Sequence, residues 1–176
     1  MDMQLVNQNV KLRPIVSTDA SVLMELNNNE LIKKFVVGHP QIVNMEEQLK
    51  WMEKISYEHD KKRFAIDYKG KPVGTVIISN IDEINRTATM NIKILPNSHG
   101  KGIGTKALEL GCKYAFQYLQ MYCLVAHILN YNLASQKIFR KIGFQKDGVF
   151  RSRIIKNGER CDLVVYSLLK SEFESK

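Results

Sequence analysis

The sequence predicts one mixed α/β domain spanning residues 1–176, in which helices pack against a sheet, and three patterns carry this prediction. Short β-branched strands alternate with amphipathic helices along the whole chain. The segment from Thr87 to Leu129 has the strand–helix–strand order of a βαβ unit, which requires two parallel strands. Asn157-Gly158 separates two apolar runs near the end, and this dipeptide favours a tight hairpin.

The first part of the chain predicts one strand and two helices. Val10 to Arg13 is a short strand that Pro14 ends. Polar residues 17–19 then cap a helix with apolar positions at Leu23, Leu26 and Leu31. A second helix begins after Asn44, which forms a capping box with Glu47, and its apolar face carries Met45, Leu49, Met52 and Ile55.

The remainder predicts six strands and two helices. The strands cover residues 63–68, 73–78, 87–95, 122–129, 149–155 and 161–168, and the helices cover 102–119 and 134–142. Gly143 is typical of the position after a helix end. The polar tail 170–176 is expected to fray.

Composition and charge exclude several classes of protein. No apolar run is long enough to span a bilayer, and residues 1–9 lack the pattern of a signal peptide, so we expect a cytoplasmic protein without a membrane partner. The three cysteines are scattered and form no CxxC pair, which disfavours a disulfide framework or a metal site. The net charge of +8 invites a nucleic-acid partner, but no recognition motif or interleaving of aromatic and basic residues supports one.

A glycine-rich segment between a strand and a helix predicts an anion site. Gly100, Gly102 and Gly104 let the backbone approach a ligand closely. The first N–H groups of the following helix lack intrahelical partners and carry the positive end of its dipole, so this turn suits a diphosphate, to which Lys101 and Lys106 add charge. The spacing is neither that of the dinucleotide-binding fingerprint nor that of a P-loop.

Two segments together resemble the GNAT superfamily of N-acetyltransferases. Its coenzyme loop follows the pattern Arg/Gln-x-x-Gly-x-Gly/Ala, which His99, Gly102 and Gly104 occupy here, with His99 departing from the pattern. Its next motif, Asn-x-x-Ala/Ser-x-x-x-Tyr/Phe-x-Lys-x-Gly-Phe, matches residues 132–144. Within this superfamily, the chain is most similar to the branch that includes ribosomal-protein, spermidine and amino-sugar-nucleotide acetyltransferases. The segments that carry this similarity are 11–14, 148–151, 157–162 and 166–169.

The resemblance implies a twisted, mostly antiparallel mixed sheet of about seven strands and four helices, with a splayed central strand pair. It also implies acetyl-coenzyme A as co-substrate, a primary amine as acceptor and no metal. Unpaired N–H groups from His99 to Thr105 would hold the diphosphate. The coenzyme residues that it implies are Ile92, Ile94, Leu95, His99, Gly100, Lys101, Gly102, Ile103, Gly104, Thr105, Asn132, Ser135, Phe139 and Lys141.

Two residues depart from the pattern of the resemblance. Many relatives have a tyrosine acid where Phe139 stands, and a glutamate near Thr89. We therefore take His127, on the splayed strand, as the candidate base, because imidazole titrates near neutrality. Glu83, in the turn before the central strand, is a second candidate at the amine site. The same departures also fit a non-catalytic module that senses acyl-coenzyme A.

The helices between Ser17 and Ile55 would form the wall that faces the acceptor. Residues 35–39 are neutral or basic where the resemblance implies paired glutamates for a polyamine. We therefore expect an amino-sugar nucleotide or a protein or peptide N-terminus rather than a polyamine. Pairing of relatives through sheet edges or the C-terminal hairpin also suggests a homodimer.

Overall fold

The computed structural model describes residues 5–55 and 58–175 and contains one eight-stranded sheet in the order β1-β2-β3-β4-β5-β6-β8-β7. All neighbouring strands are antiparallel except β5 and β6. The strands are β1 (Leu5–Asn7), β2 (Val10–Pro14), β3 (Lys62–Tyr68), β4 (Lys71–Asp82), β5 (Thr87–Ile94), β6 (Cys123–Leu129), β7 (Gln145–Lys156) and β8 (Glu159–Leu169).

Six α-helices and two 3-10 turns accompany the sheet in the described chain. The helices are α1 (Ala20–Asn28), α2 (Glu30–Phe35), α3 (Met45–Ile55), α4 (Ile103–Gln117), α5 (Leu133–Ile142) and α6 (Lys170–Glu174), and the turns are Ser17–Asp19 and Pro96–Ser98. None of these helices is long and apolar enough to cross a membrane. The predicted mixed, mostly antiparallel sheet is confirmed, with one strand more than expected at the N-terminal edge.

The predicted first helix is two helices, because the chain turns at Asn29. This residue is extended (φ −69°, ψ 119°), and its side-chain oxygen accepts hydrogen bonds from the N–H groups of Leu31 and Ile32, which starts α2. The new helix direction buries Ile32 and leaves Leu31 60% exposed. The capping box of α3 forms as predicted, with bonds of 2.8 and 2.9 Å between Asn44 and Glu47.

The C-terminal tail is ordered where the sequence suggests fraying. The Glu172 carboxylate accepts a hydrogen bond from the Leu169 N–H at 2.9 Å, which caps α6. Phe173 packs against Phe116 of α4 at 5.3 Å between ring centroids. Although this segment is mostly polar, Phe173 packs against the core and holds the short helix there.

The predicted hairpin at the end of the chain is confirmed. Asn157 and Gly158 both have positive φ angles, 50° and 84°, as a tight two-residue hairpin requires. They join β7 and β8, which pair from Lys156 and Glu159 back to Gln145 and Ser167, with bulges along β7.

Each face of the sheet has its own helices and its own apolar cluster. The larger cluster joins the sheet to α4 and α5, and it includes Ile66, Met90, Leu108, Phe116 and Leu124. The smaller cluster lies under α1 to α3 and includes Leu23, Leu26, Ile32, Trp51 and Met52. Because side chains alternate along a strand, a residue of β5 meets either α4 or the N-terminal helices, and this separation organises the site.

Candidate active site

The sheet opens between its two parallel strands, as predicted. Thr87, Ala88 and Thr89 of β5 pair with Cys123, Leu124 and Val125 of β6, and the pairing then ends although both strands continue. A gap therefore lies between Met90–Ile94 and Ala126–Leu129. Such a gap exposes the polar edges of two strands to a ligand.

The edge of β5 directs backbone groups into this gap. The Leu95 N–H donates to the Val73 carbonyl at 2.9 Å, which fixes the register in which β5 bonds to β4. Since antiparallel residues alternate between bonded and non-bonded pairs, the N–H and C=O groups of Ile92 and Ile94 point away from β4 and into the gap. The family resemblance implies both of these residues for the coenzyme, and a pantetheine arm carries amides that match such groups.

A row of N–H groups without protein partners follows β5. Gly102 has φ 73°, a left-handed conformation that glycine adopts without strain, and it begins α4. Within the described residues, none of the backbone N–H groups from Gly100 to Thr105 donates to another residue. Six consecutive N–H groups at the positive end of a helix form an anion site.

The predicted row of N–H groups begins one residue too early. The His99 N–H donates to the Pro96 carbonyl at 3.0 Å because residues 96–98 form a 3-10 turn. The imidazole Nε2 lies 2.9 Å from the Ile94 carbonyl oxygen. His99 therefore meets the gap through its ring rather than through its backbone.

Two lysines and one close helix contact complete the coenzyme side. The Lys101 Nζ donates to the Asn97 carbonyl at 2.8 Å, and Lys106 reaches Gln8, so both cations lie beside the loop. A Cβ atom at Gly104 would lie 3.1 Å from Ile138 and 3.2 Å from Ile94. This glycine thus allows α4 to begin close to both β5 and α5.

Helix α5 supplies the other predicted coenzyme residues. The Asn132 Oδ1 accepts from the Ser135 N–H at 3.1 Å and caps the helix, while its Nδ2 donates to the Phe35 carbonyl at 3.1 Å. Phe139 is 2% exposed and packs edge-on against Phe144. Lys141 is exposed in the last turn. The roles assigned to these residues in coenzyme binding stay predictions.

The opposite face of β5 presents a polar row. Met90 and Ile94 lie toward α4, so Thr89, Asn91 and Lys93 lie toward α1 to α3. Asn91 is exposed and donates to Ser79 at 3.1 Å. This row is the floor of a groove that the N-terminal helices border.

His127 lies on the separated part of β6 and on this same face of the sheet. Val125 is the last residue of β6 that pairs with β5, and its partner Thr89 lies toward α1 to α3. His127 is two residues further along β6, so its side chain lies on the same face. The imidazole is half-buried and stacks on Phe150 at 6.1 Å between ring centroids. Burial lowers the pKa of His127, so the ring is neutral and able to accept a proton at neutral pH.

The other candidate acids and bases lie elsewhere or are engaged. Glu83 is on the exposed turn at the tip of the β4–β5 hairpin, beside the paired end of β5 rather than the gap. The neighbouring Asp82 has a lowered pKa because Asn85 donates to it. The Tyr131 hydroxyl donates to the Lys34 carbonyl at 2.7 Å, and the Tyr166 hydroxyl donates to Gln136 at 3.0 Å.

The wall of the groove is formed by the end of α2 and the segment after it. Three side chains bind carbonyls there: Tyr131 binds Lys34, Asn132 binds Phe35, and the Lys156 Nζ binds Gly38 at 2.6 Å. Phe35 is 40% exposed and packs against Tyr131. These bonds attach the wall to the β6–α5 loop and to β7, at the open end of the gap.

Two residues of this groove do not stand out in the sequence. Lys93 occupies an inward position of β5 and is half-buried, although its neighbours suggest an ordinary alternating strand. Gln48 is 1% exposed on α3, whereas Leu49, which the sequence places on the apolar face, is 41% exposed. From helical spacing alone, Leu49 is expected to be buried and Gln48 exposed. The position of α3 on the sheet reverses this expectation.

Comparison with known proteins identifies the architecture. A family model described as an acetyltransferase (GNAT) domain matches residues 9–145. Spermidine N(1)-acetyltransferase of Escherichia coli K12 is 28% identical over 164 residues, which are 93% of this chain and 88% of that protein. A putative ribosomal N-acetyltransferase of Bacillus subtilis, YdaF, is 29% identical, with 96% of both chains covered.

Solved structures agree on the fold. Spermidine N-acetyltransferase from Vibrio cholerae, in complex with coenzyme A and spermine, superimposes with a TM-score of 0.89, at 24% identity over 96% of this chain and 99% of that one. The ribosomal L7/L12 α-N-protein acetyltransferase RimL, in complex with coenzyme A, gives a TM-score of 0.85 at 19% identity over 93% and 96%. At these identities the likeness shows the fold alone.

Proposed function

Because the chain belongs to the GNAT acetyltransferase family and is an acetyl-coenzyme A-dependent N-acetyltransferase, we propose that its acceptor is the primary amine of an amino-sugar nucleotide or of a protein N-terminus. The observation that carries this proposal is the charge of the acceptor wall. Lys34 lies in the last turn of α2, and the Lys156 Nζ lies against the Lys33 and Gly38 carbonyls, whereas the charge of Lys33 is balanced by its ion pair with Glu30. A polyamine carries several positive charges, and this wall repels them.

Three carboxylates of the N-terminal helices are already engaged. Glu30 pairs with Lys33 at 3.0 Å, Glu46 pairs with Lys50 at 2.6 Å, and Glu47 caps its own helix. The charges of Glu30 and Glu46 are therefore balanced by lysines, and the Glu47 carboxylate is held at the start of its own helix. A wall that binds a polyamine instead needs carboxylates that are available to the ligand.

The residues of the gap support a direct transfer of the acetyl group. The amine nitrogen attacks the thioester carbon, a C–N bond forms, and the C–S bond breaks to release the coenzyme thiolate. The neutral His127 takes the proton that the amine loses, directly or through water, and a proton from solvent neutralises the thiolate. Backbone N–H groups at the edges of the gap stabilise the oxyanion that forms in between.

A polyamine acceptor is the second candidate, because the relatives from E. coli and V. cholerae are spermidine acetyltransferases. A thiol-release assay with acetyl-coenzyme A separates the two. Amino-sugar nucleotides, short peptides with free N-termini and spermidine are compared at equal concentration, and the products are identified by mass. We expect a higher kcat/KM for one of the first two classes, whereas a clear preference for spermidine would overturn the proposal.

A further inference from the structure

A half-buried lysine, Lys93, lies in the acceptor groove without a carboxylate partner among the described residues. The Lys93 Nζ donates to the Asn27 Oδ1 of α1 at 3.3 Å, and no described carboxylate forms an ion pair with it. A second cation, Arg63, acts on it electrostatically, and the guanidinium of Arg63 pairs with Glu58 at 2.8 Å and stacks on Trp51. Burial and the charge of Arg63 both lower the pKa of Lys93.

Two hydrogen bonds connect Lys93 to Asn27 and Asn27 to Gln48, and in each of them the first residue is the donor. An ammonium group only donates, so Lys93 must meet the oxygen of Asn27. The Asn27 Nδ2 then donates to the Gln48 Oε1 of α3 at 3.3 Å, which leaves the Gln48 Nε2 as the last group. This buried nitrogen has no hydrogen-bond partner among the described residues.

The cluster therefore contains more donors than acceptors. Lys93 has three N–H bonds and gives one to Asn27, and Gln48 gives none of its two. A buried donor without a partner, as at Gln48, is costly, and a partly desolvated cation without a counter-charge adds to that cost. An oxyanion would satisfy the cation, whereas a cationic ligand would add to the excess of positive charge.

The position of Lys93 connects this cluster to the transfer site. Its backbone lies between Ile92 and Ile94, whose polar groups point into the gap. Its side chain lies two residues, about 7 Å, beyond the exposed Asn91 on the floor of the groove. A ligand that enters over Asn91 with its amine toward the gap can place another group near Lys93.

From this geometry, and resting on the proposed function, we propose that Lys93 binds an oxyanion of the acceptor, a phosphate ester or a carboxylate several bonds from the reacting amine. Asn27 and Gln48 position the ammonium group. The acceptor is thus an anionic primary amine, and Lys93 selects it.

The test compares acceptors that differ only in the anion. One pair is glucosamine and its phosphate ester, and the other is β-alanine and β-alanine amide. Initial rates are measured with saturating acetyl-coenzyme A for the wild type, Lys93→Met, Lys93→Arg, Asn27→Ala and the control Lys113→Met. Lys113 is exposed on α4, across the sheet from the groove, so its substitution makes the same change in net charge.

We expect the wild type to prefer one anionic member by about tenfold or more in kcat/KM. Lys93→Met should lose this preference through KM, with kcat for the uncharged partner unchanged, and Lys93→Arg should keep part of it. Asn27→Ala should raise KM for the anionic acceptor alone, and Lys113→Met should behave as the wild type. The pair that responds shows whether the anion is a phosphate or a carboxylate.

The possible failures are distinct. If uncharged amines are acetylated but the anionic members have no advantage, or keep it in Lys93→Met, the inference about Lys93 is wrong and the proposed transfer stands. If none of these amines, nor any nucleotide amino sugar or peptide, is acetylated, the proposed function itself fails. Removing a partly desolvated cation relieves a desolvation cost, so Lys93→Met should fold, and its acetyl-coenzyme A affinity checks this.

Discussion

The two sides of the gap offer different kinds of chemical group to a ligand, backbone groups on one side and side chains on the other. On the coenzyme side, the groups offered to the ligand are backbone atoms, namely the edge of β5 at Ile92 and Ile94 and the N–H row from Gly100 to Thr105. On the side that we propose for the acceptor, the groups are side chains from separate elements, with Lys93 on β5, His127 on β6 and Lys156 on β7. A backbone site tolerates most side-chain changes, whereas a side-chain site can change its ligand by single substitutions.

The largest effect that would test this contrast is expected at His127. Replacement by asparagine should lower kcat by about 100-fold or more, because the amine loses its general base, and should leave acetyl-coenzyme A binding unchanged. The control His59→Asn changes an exposed histidine between α3 and β3. Equal losses in both variants, or weaker coenzyme binding in His127→Asn, would argue against this role.

The same residue predicts a pH profile. Burial favours neutral imidazole, so the base form persists below the ordinary histidine pKa of about 6.5. Activity should be present above that pH and fall only as the pH drops through the lowered pKa. In His127→Asn this acidic limb should disappear, and a limb that persists would point to another group.

The next effect is expected on the coenzyme side, at Gly102. Alanine at φ 73° is strained by about 1–2 kcal/mol, and the strain displaces the N–H row, so acetyl-coenzyme A affinity should fall about tenfold in calorimetry. Gly158→Ala is the matched control, because its φ is 84°, it also has open space around its Cβ, and it lies in the distant hairpin. Similar loss of affinity in both would mean that general instability, not the loop, is responsible.

A smaller effect is expected at Tyr131. Phenylalanine removes the bond to the Lys34 carbonyl, worth about 0.5–1.5 kcal/mol, and loosens the wall. KM for the acceptor should rise a few-fold, while KM for acetyl-coenzyme A stays the same. A change confined to the coenzyme would contradict the division between the two sides.

The smallest effect is expected at Lys101, whose ammonium group is exposed beside the loop. Alanine should weaken coenzyme affinity by no more than about threefold at physiological salt, because exposed charges are screened. A loss as large as that of Gly102→Ala would show that side chains, and not the backbone, hold the diphosphate.

This contrast also explains what could be predicted from the sequence. The glycine turn, the helix start and the hairpin at Asn157-Gly158 follow from local patterns, so the sequence predicts them, whereas the gap between β5 and β6 is expected only from the family resemblance. The turn at Asn29 was missed because it depends on one side chain capping a new helix, and α6 was missed because Phe173 finds its partner on α4. Lys93, Asn27 and Gln48 are far apart in sequence, and only the packing of α1 and α3 on the sheet brings them together.

The short pairing between β5 and β6 also bears on how the fold responds to its coenzyme. Within the described chain, only three residue pairs join the five strands β1 to β5 to the other three strands. Beyond these pairs, the N–H groups of Ile92 and Ile94 and the Ile92 carbonyl have no strand partner among the described residues, while the Ile94 carbonyl meets the His99 ring. A pantetheine arm lying along β5 supplies those bonds and extends the ladder. Occupancy should therefore raise the melting temperature and slow hydrogen exchange at these two amides first, since a ligand that binds only the native sheet stabilises it.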